Sequence, residues 1–429
     1  MPIFDEAIIK ARQRKAAEAL GKDGPIILVP AGDPVSKPGG LDQTYPFLPH
    51  PEYYWLSGSR RSGGVMAYEP GKGWTHFVRK ADAVELLWEG VPEVPQGEDA
   101  AGLGAWLKNR KGAKAAVLGN ASAAAAAGLK SDPALVPAAR EKLDRARRPK
   151  DKAEIALVSR AVAAAAAGFR KAREVIKPGA TERQVQIELE AEMLRHGADG
   201  QSFGTIVGAG THAAVLHFEP GGRVIGREDL VLVDAGAEVC EYAADITRVF
   251  PAGNKFTPEQ RAIYDIVLAG QKAAIEKCRA GTEWHDVHRA AAAVMACGLR
   301  ELGLLRGSAD SLLETGAIAL FFPHGVGHML GLRVRDVGGA KPGRAEGGLC
   351  CGARVRVDMP LEEAFLMTVE PGIYFVPAIL DDAARRKQFR EAVDWETLEK
   401  WRHIGGVRIE DDILITARGP ESLTAAVPK

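Results

Sequence analysis

In the stretch FFPHGVGHMLGLRVRDVGG, residues 321 to 339, His324 and His328 stand four positions apart, and Arg333 and Arg335 follow them. Four carboxylates occupy comparable settings. Asp234 closes the apolar run of DLVLVDAGAE, and eleven positions later Asp245 heads the β-branched run of YAADITRVF. Glu370 ends the apolar stretch of LMTVEPGIYF, just before Pro371 and Gly372, and Glu410 lies within GGVRIEDDILIT. A carboxylate at the end of a buried strand is costly unless something cationic meets it. Singly, each has an ordinary reading: Asp as a cap or turn residue, Glu as a solvated strand residue, HGVGH as a glycine-rich turn with one satisfied histidine. Together, four carboxylates and one or two imidazoles without a thiolate have the composition of a binuclear metal site. Such a donor set suits a hard divalent ion such as manganese better than a zinc site of sulfur or histidine alone.

Strands must bring these groups together. The Asp234 and Asp245 runs read as neighbouring strands joined by a turn, so that both acids share one face. In GGVRIEDD the alternation sets Arg408 and Glu410 on one face and Ile409 on the other. Arg408 is therefore expected to hold the Glu410 carboxylate in place from behind.

All of these runs follow residue 150. Before it, PIILVPAG at 25 to 32 and GGVMAYEPGKGWTHFV at 63 to 78 are strand-like, the second broken by the turn PGKG. RARRPKDKAEI, 145 to 155, is basic, carries Pro149 and reads as a linker. A long helix is expected over DKAEIALVSRAVAAAAAGFRKAREVIKPG, with Lys and Arg near its end and Pro178–Gly179 as the stop. The alanine runs at 123 to 127 and 163 to 167 favour helix and close packing. The expected organisation is an α/β protein of two domains, a smaller one over 1–148 and a larger one over 149–429.

Composition excludes several classes. At 429 residues, 46% hydrophobic and 26% charged, the chain is globular and too long for one ordinary core. Lys+Arg and Asp+Glu are both 56, so no global field draws it to nucleic acid or an anionic membrane. Five cysteines without C-x-x-C spacing point to a reducing, cytoplasmic setting. MPIFDEAIIKARQRKAAEAL reads as a charged amphipathic helix and not as a secretory signal, and no apolar run reaches the length of a membrane span. WHDVH, with His285 and His288, lacks H-E-x-x-H and reads as surface; GAGTH at 208 to 212 is too short for a dinucleotide fingerprint; Cys350 and Cys351 read as packing residues.

The ordered set VDAGAE, ADITR, HGVGH, TVEPGIYF and GGVRIEDDILIT resembles the Xaa-Pro peptidases of the pita-bread metallopeptidase family, prolidase and aminopeptidase P. YPFLPHPEYYWLSG at 45 to 58 is similar to their N-terminal domain. The resemblance implies a creatinase/prolidase-like N-terminal domain ahead of a pita-bread catalytic domain. It also implies Asp234, Asp245, His328, Glu370 and Glu410 as ligands of two divalent ions, with Asp245 and Glu410 bridging. Manganese is the expected metal, with cobalt or zinc as alternatives. Glu370 would shuttle the proton, and His217 and His324 would donate hydrogen bonds to substrate.

The reaction implied is hydrolysis of Xaa-Pro dipeptides by a hydroxide bridging the two ions, releasing proline, in a homodimer that binds neither nucleic acid nor membrane. Arg356, fourteen positions before Glu370, matches the prolidase arginine that binds the dipeptide carboxylate; its ordinary alternative is pairing with Asp358 or Glu362. Aminopeptidase P, acting on longer peptides, and a non-catalytic peptide-binding module are the alternatives. The family pattern HGxGHxxGxDVHD departs here to Arg333 and Arg335, the latter where a further catalytic histidine is expected. An arginine there can only donate and stabilise negative charge, so Arg335 is expected to stabilise the oxyanion or grip the substrate carboxylate and Arg333 to orient the loop; the ordinary alternative is that both pair with Asp336 or other acids.

Overall fold

The computed structural model describes residues 3–90, 95–110, 114–119, 131–341 and 348–429. They form two compact units, Met1–Arg147 and Arg148–Lys429. In the first, Asp5 caps the helix Glu6–Leu20. A five-stranded sheet runs in the order Glu98–Asp99, Gly73–Val78, Val65–Glu69, Ile26–Pro30, Ala115–Val117. Both strand-like runs of this region lie in it, and Val65–Glu69 pairs antiparallel with Gly73–Val78 across the PGKG turn. The YYWL of the short helix Pro51–Ser57 is buried.

The second unit opens with the helix Lys152–Val175, whose start is fixed by a reciprocal box between Asp151 and Glu154 and which stops short of Pro178. Alanines 164 to 167 are buried in it, and Gly168 lets the helix Glu182–Arg195 come close. A Cβ at Gly168 would stand 2.9 Å from the Leu189 carbonyl oxygen and 2.8 Å from Met193 Cγ. The run at 123 to 127 lies outside the described residues. The basic 145–155 segment is not a solvated linker: Arg148 and Lys150 are buried, and Lys150 Nζ lies 2.7 Å from Asp336 Oδ2. That ion pair anchors the loop that follows His328.

Two three-stranded sheets and a strand pair carry the chemistry-bearing runs. Leu230–Ala235 is central between Ile206–Ala209 and Ile246–Pro251, all antiparallel. Asp411–Thr416 is central between Leu366–Val369 and Gly419–Ser422. Gly372–Tyr374 pairs with Gly406–Arg408. The GGVRIEDD run is therefore two strands and not one. Its first half pairs beyond Glu370, its second half pairs before it, and Glu410 sits at the break, bridged to Thr247. A large apolar core built on Trp284, Met295, Phe321, Phe322 and Phe365 packs these sheets against the helices Pro258–Lys277 and Trp284–Glu301. His288 belongs to that core. It is fully buried and stacks on Phe322 at 4.9 Å, because its helix face, with Ala291, Ala292 and Met295, is the apolar one. The surface reading of WHDVH is corrected at this residue.

Candidate metal centre

Asp234 and Thr247 face each other across an antiparallel pair of strands, and Asp245 lies two residues before Thr247, so the alternation of side chains gathers all three on one face. Glu410 enters that face through its bridge to Thr247, whose Oγ1 donates to Glu410 Oε2 at 2.7 Å. His328 and Glu370 are brought side by side by a backbone ladder. Thr368 N–H donates to the His328 carbonyl at 2.8 Å, and Glu370 N–H to the Val326 carbonyl at 2.8 Å. Gly327 makes this approach possible, since a Cβ there would lie 2.0 Å from the Thr368 carbonyl oxygen.

The five residues implied by the motifs meet in one place. Ligating atoms of Asp245, His328 and Glu410 lie within 4.8 Å of one another. His328 Nε2 stands 3.4 Å from Asp245 Oδ2 and 3.7 Å from Glu370 Oε1. Its Nδ1 lies 3.0 Å from the Met329 carbonyl oxygen, so Nδ1 carries a proton and Nε2 faces the carboxylates, where its lone pair could ligate a cation held among them. Asp234 and Arg408 line the same cavity.

The electrostatics fit a resident cation. Burial raises the carboxyl pKa of Asp234 to about 6, and the Asp245 charge adds to this while Arg408 opposes it. Burial likewise raises Glu370 to about 7, opposed by His328 and Arg408 and reinforced by Asp245 and Asp234. Glu410 is pushed well above its ordinary range by burial and then by Asp245, Glu370 and Asp234. Burial works against a charged His328, yet the Asp245 hydrogen bond and the charges of Glu370 and Asp245 leave it raised. In the centre itself, the buried oxygens Asp234 Oδ1 and Glu410 Oε1 have no hydrogen-bond partner among the described residues. Oxygen donors crowded against their own repulsion, with one imidazole among them, are what a pair of hard divalent ions requires.

Arg408 does not hold Glu410 directly. Its Nη2 lies 2.5 Å from Asp234 Oδ2, its Nη1 donates to Tyr374 Oη at 2.8 Å, and its Nε to Thr247 Oγ1 at 3.1 Å. Thr247 then carries the connection to Glu410. The correction follows from the strand break, which turns residue 410 toward the Thr247 strand. Sequence reasoning missed Thr247 and Tyr374, although Thr247 was accessible: it lies two residues past Asp245 and shares its face.

A cavity of about 890 Å³ opens over the centre, with His217, His324, Arg335, Arg354, Arg356 and Glu370 in its wall. His217 is exposed in it. His324 is not available as expected. Its Nδ1–H faces the Gly325 carbonyl at 2.8 Å, and its Nε2 accepts from Tyr374 Oη at 2.9 Å, so both ring nitrogens are engaged within the protein. Burial, helped by Arg408, lowers its pKa to about 3 and keeps the ring neutral. Arg333 does not enter the cavity wall; it pairs with Glu241 at 2.8 Å, and Asp336 is taken by Lys150. Arg335 does line the cavity, as does Arg356, and neither pairs with an acid among the described residues.

Comparison with known proteins agrees with this geometry. Residues 156–417 match the model of Metallopeptidase family M24, and residues 9–101 match that of the aminopeptidase P N-terminal domain. A protein of Coccidioides posadasii (strain C735) named "Probable Xaa-Pro aminopeptidase PEPP" is 32% identical over 442 residues, 97% of this chain and 94% of that one. The structure of Pseudomonas aeruginosa aminopeptidase PepP aligns with a TM-score of 0.81 and 30% identity over 100% of this chain and 97% of its own. Aminopeptidase P from Escherichia coli with the inhibitor Pro-Leu gives a TM-score of 0.81 and 30% identity over 99% and 96%. The fold is the mixed α/β arrangement of those enzymes, with an aminopeptidase P N-terminal domain followed by a pita-bread domain. With its family signature spanning most of the second unit, and relatives matched over nearly their whole length, this chain belongs to metallopeptidase family M24.

Proposed function

We propose that the protein is an Xaa-Pro aminopeptidase, a hydrolase that removes the N-terminal residue from peptides whose second residue is proline. The observation that carries the reading is the convergence of Asp234, Asp245, His328, Glu370 and Glu410 on one open cavity, in a chain whose relatives bear that name. At about 890 Å³ the cavity lies toward the upper end of ligand pockets, roughly 300–1,000 Å³, and has room for a peptide beyond its proline.

The five residues would hold two divalent ions, manganese first and cobalt or zinc as substitutes; a zinc-substituted form of the Escherichia coli aminopeptidase P in complex with product is among the similar structures. Bound there, the ions would lower the pKa of a shared water toward ~7 and polarise the scissile carbonyl. Glu370, at the cavity wall, would take the proton from the attacking water and pass it to the prolyl nitrogen. That nitrogen carries no hydrogen in the peptide and must gain one to depart. His217, exposed in the cavity, donates to the substrate carbonyl region. Arg335 supplies fixed positive charge where negative charge develops. Arg408 and Thr247 orient Asp234 and Glu410.

A second reading, dipeptidase, rests on Arg356 in the cavity wall. The relatives' names support the aminopeptidase better. Metal-stripped protein resupplied with manganese is expected to release alanine from Ala-Pro-Ala and to leave Ala-Ala-Ala intact. Cleavage of Ala-Pro alone would return the reading to dipeptidase. The proposal includes a homodimer in the cytoplasm; among the described residues no cysteine is joined in a disulfide, in keeping with a reducing compartment. Light scattering on the purified chain tests the dimer. Among the described residues no helix is long and apolar enough to cross a membrane.

A further inference from the structure

Glu182 is a buried acid that the metal centre does not use. It opens the helix Glu182–Arg195 and is fully buried, a setting in which a carboxyl group is kept only where hydrogen bonds hold it. Both of its bonds go to one oxygen. Oε1 accepts from Ala209 N–H at 2.9 Å and from His212 Nδ1–H at 2.8 Å. The histidine that ends the GAGTH run therefore has its ring fixed from beneath by an acid that water does not reach.

The turn that carries His212, Gly210–Ala214, is equally constrained. A Cβ at Gly405 would stand 2.0 Å from the Gly210 carbonyl oxygen, and one at Gly406 would stand 2.3 Å from that of Ala213. Arg223 donates to the Ala209 carbonyl just before the turn. From this seat the His212 ring lies against Phe218, with centroids 4.3 Å apart and planes tilted by 34°. Phe218 also packs on the large apolar core. Residues 215 to 219 belong to no helix or strand, so side-chain contacts such as this one set their course. His217 and Phe218 line the cavity, whereas His212 does not, so any part it has in the reaction is played through them.

We propose that His212, braced by Glu182, is a positioning residue for His217: it holds the Phe218 ring and so sets the adjoining His217 at the cavity wall. The inference rests on the Xaa-Pro reading above, in which His217 donates to the substrate carbonyl region.

The test removes the contact in two ways. His212→Asn keeps a donor for Glu182 and loses the ring, and His212→Ala loses both. Each is made alone and together with His217→Gln, and kcat and KM for Ala-Pro-Ala with manganese are measured beside the thermal midpoint. A misplaced donor costs most where negative charge develops, so kcat should fall about tenfold in His212→Asn, with KM held within about twofold. In the His217→Gln background neither substitution should lower kcat further, because the group they position is gone. Wild-type kcat in His212→Asn, or the same loss with and without His217, would overturn the inference and leave the Xaa-Pro activity standing. His212→Asn retains the bond to Glu182 and should keep the wild-type midpoint, so it carries the test where His212→Ala does not fold. The Cε1–H resonance of His217 is followed as well, in histidine-labelled protein loaded with diamagnetic zinc, and is assigned by its absence from His217→Gln. If wild type cleaves no peptide, the Xaa-Pro reading fails and this resonance decides alone: displaced in His212→Asn it upholds the placement of His217, and unmoved it overturns it.

Discussion

Nη2 of Arg408 lies 2.5 Å from Oδ2 of Asp234, and Oδ1 of the same carboxylate is buried without a hydrogen-bond partner among the described residues. One oxygen is fixed by the protein, and the cavity that Asp234 lines is also lined by Asp245, Glu370 and Glu410. The guanidinium is itself fixed by Tyr374 and Thr247, so the carboxylate has one orientation. An acid held this way by a group that is always charged would be set in advance for a metal.

Replacing Arg408 by Met should therefore destabilise the metal-free protein. It leaves Asp234 without its cationic partner in a buried site, a loss of about 3 kcal/mol for a broken buried pair. The loss should be largest above pH 6, where Asp234 would have to ionise. Urea unfolding in a chelator at pH 5 and pH 8 measures it, and equal midpoints for variant and wild type at pH 8 would refute the role given to Arg408.

Thr247→Val keeps the shape of a fully buried side chain and removes both its hydrogen bonds, to Glu410 and from Arg408. Manganese should bind about 10–100-fold more weakly, the usual cost of losing a group that orients a ligand. Calorimetric titration of the metal-stripped variant reads this directly, and wild-type affinity would show that Glu410 needs no such support.

The pH dependence has an unusual sign. Asp234 and Glu370, raised to about 6 and about 7, keep protons in the folded metal-free protein that the unfolded chain has already released above about pH 4. At these two sites the folded state binds more protons than the unfolded one, so their contribution to stability falls as pH rises from about 4 to 7, while the buried neutral ring of His324, its pKa lowered to about 3, works in the opposite direction. His328, also raised, contributes below its unfolded pKa and loses that contribution as pH rises through its folded one, in the same direction as the two acids. Metal replaces these protons, so manganese affinity should climb by about tenfold per pH unit for each proton displaced. A difference in unfolding midpoint between wild type and Glu370→Gln in chelator that stays the same from pH 4 to pH 7 would contradict the acidic cluster described here.

Arg335→His would place at the cavity wall a group that titrates near neutrality, and kcat/KM should acquire an additional limb near pH ~6.5. Arg335→Gln, which keeps neither charge nor fork, should lower kcat/KM roughly 100-fold if the residue stabilises developing negative charge. Identical pH profiles in all three proteins would remove Arg335 from the reaction.

The ligand candidates were legible because each closes or heads an apolar run, and strand alternation alone predicts that Asp234 and Asp245 share a face. What could not be read was tertiary. That Arg408 reaches Asp234 instead of Glu410 depends on the break at residue 410, where the chain leaves one strand partner for another. That both nitrogens of His324 are engaged depends on Tyr374, fifty residues away. His288 was misread as surface because its spacing from His285 hides that it shares the apolar face of its helix with Ala291 and Met295. Arg354 went unremarked although it alternates with Arg356, since only the cavity shows that both face one space.

The measurement that bears most directly on the central claim is a manganese titration of chelator-stripped protein, following alanine release from Ala-Pro-Ala beside metal content by mass spectrometry, for wild type and Glu410→Gln. Wild type is predicted to reach full turnover at two equivalents per chain, with Glu410→Gln retaining less metal and little turnover. Full turnover by wild type freed of metal, or undiminished turnover and metal content in Glu410→Gln, would contradict the account.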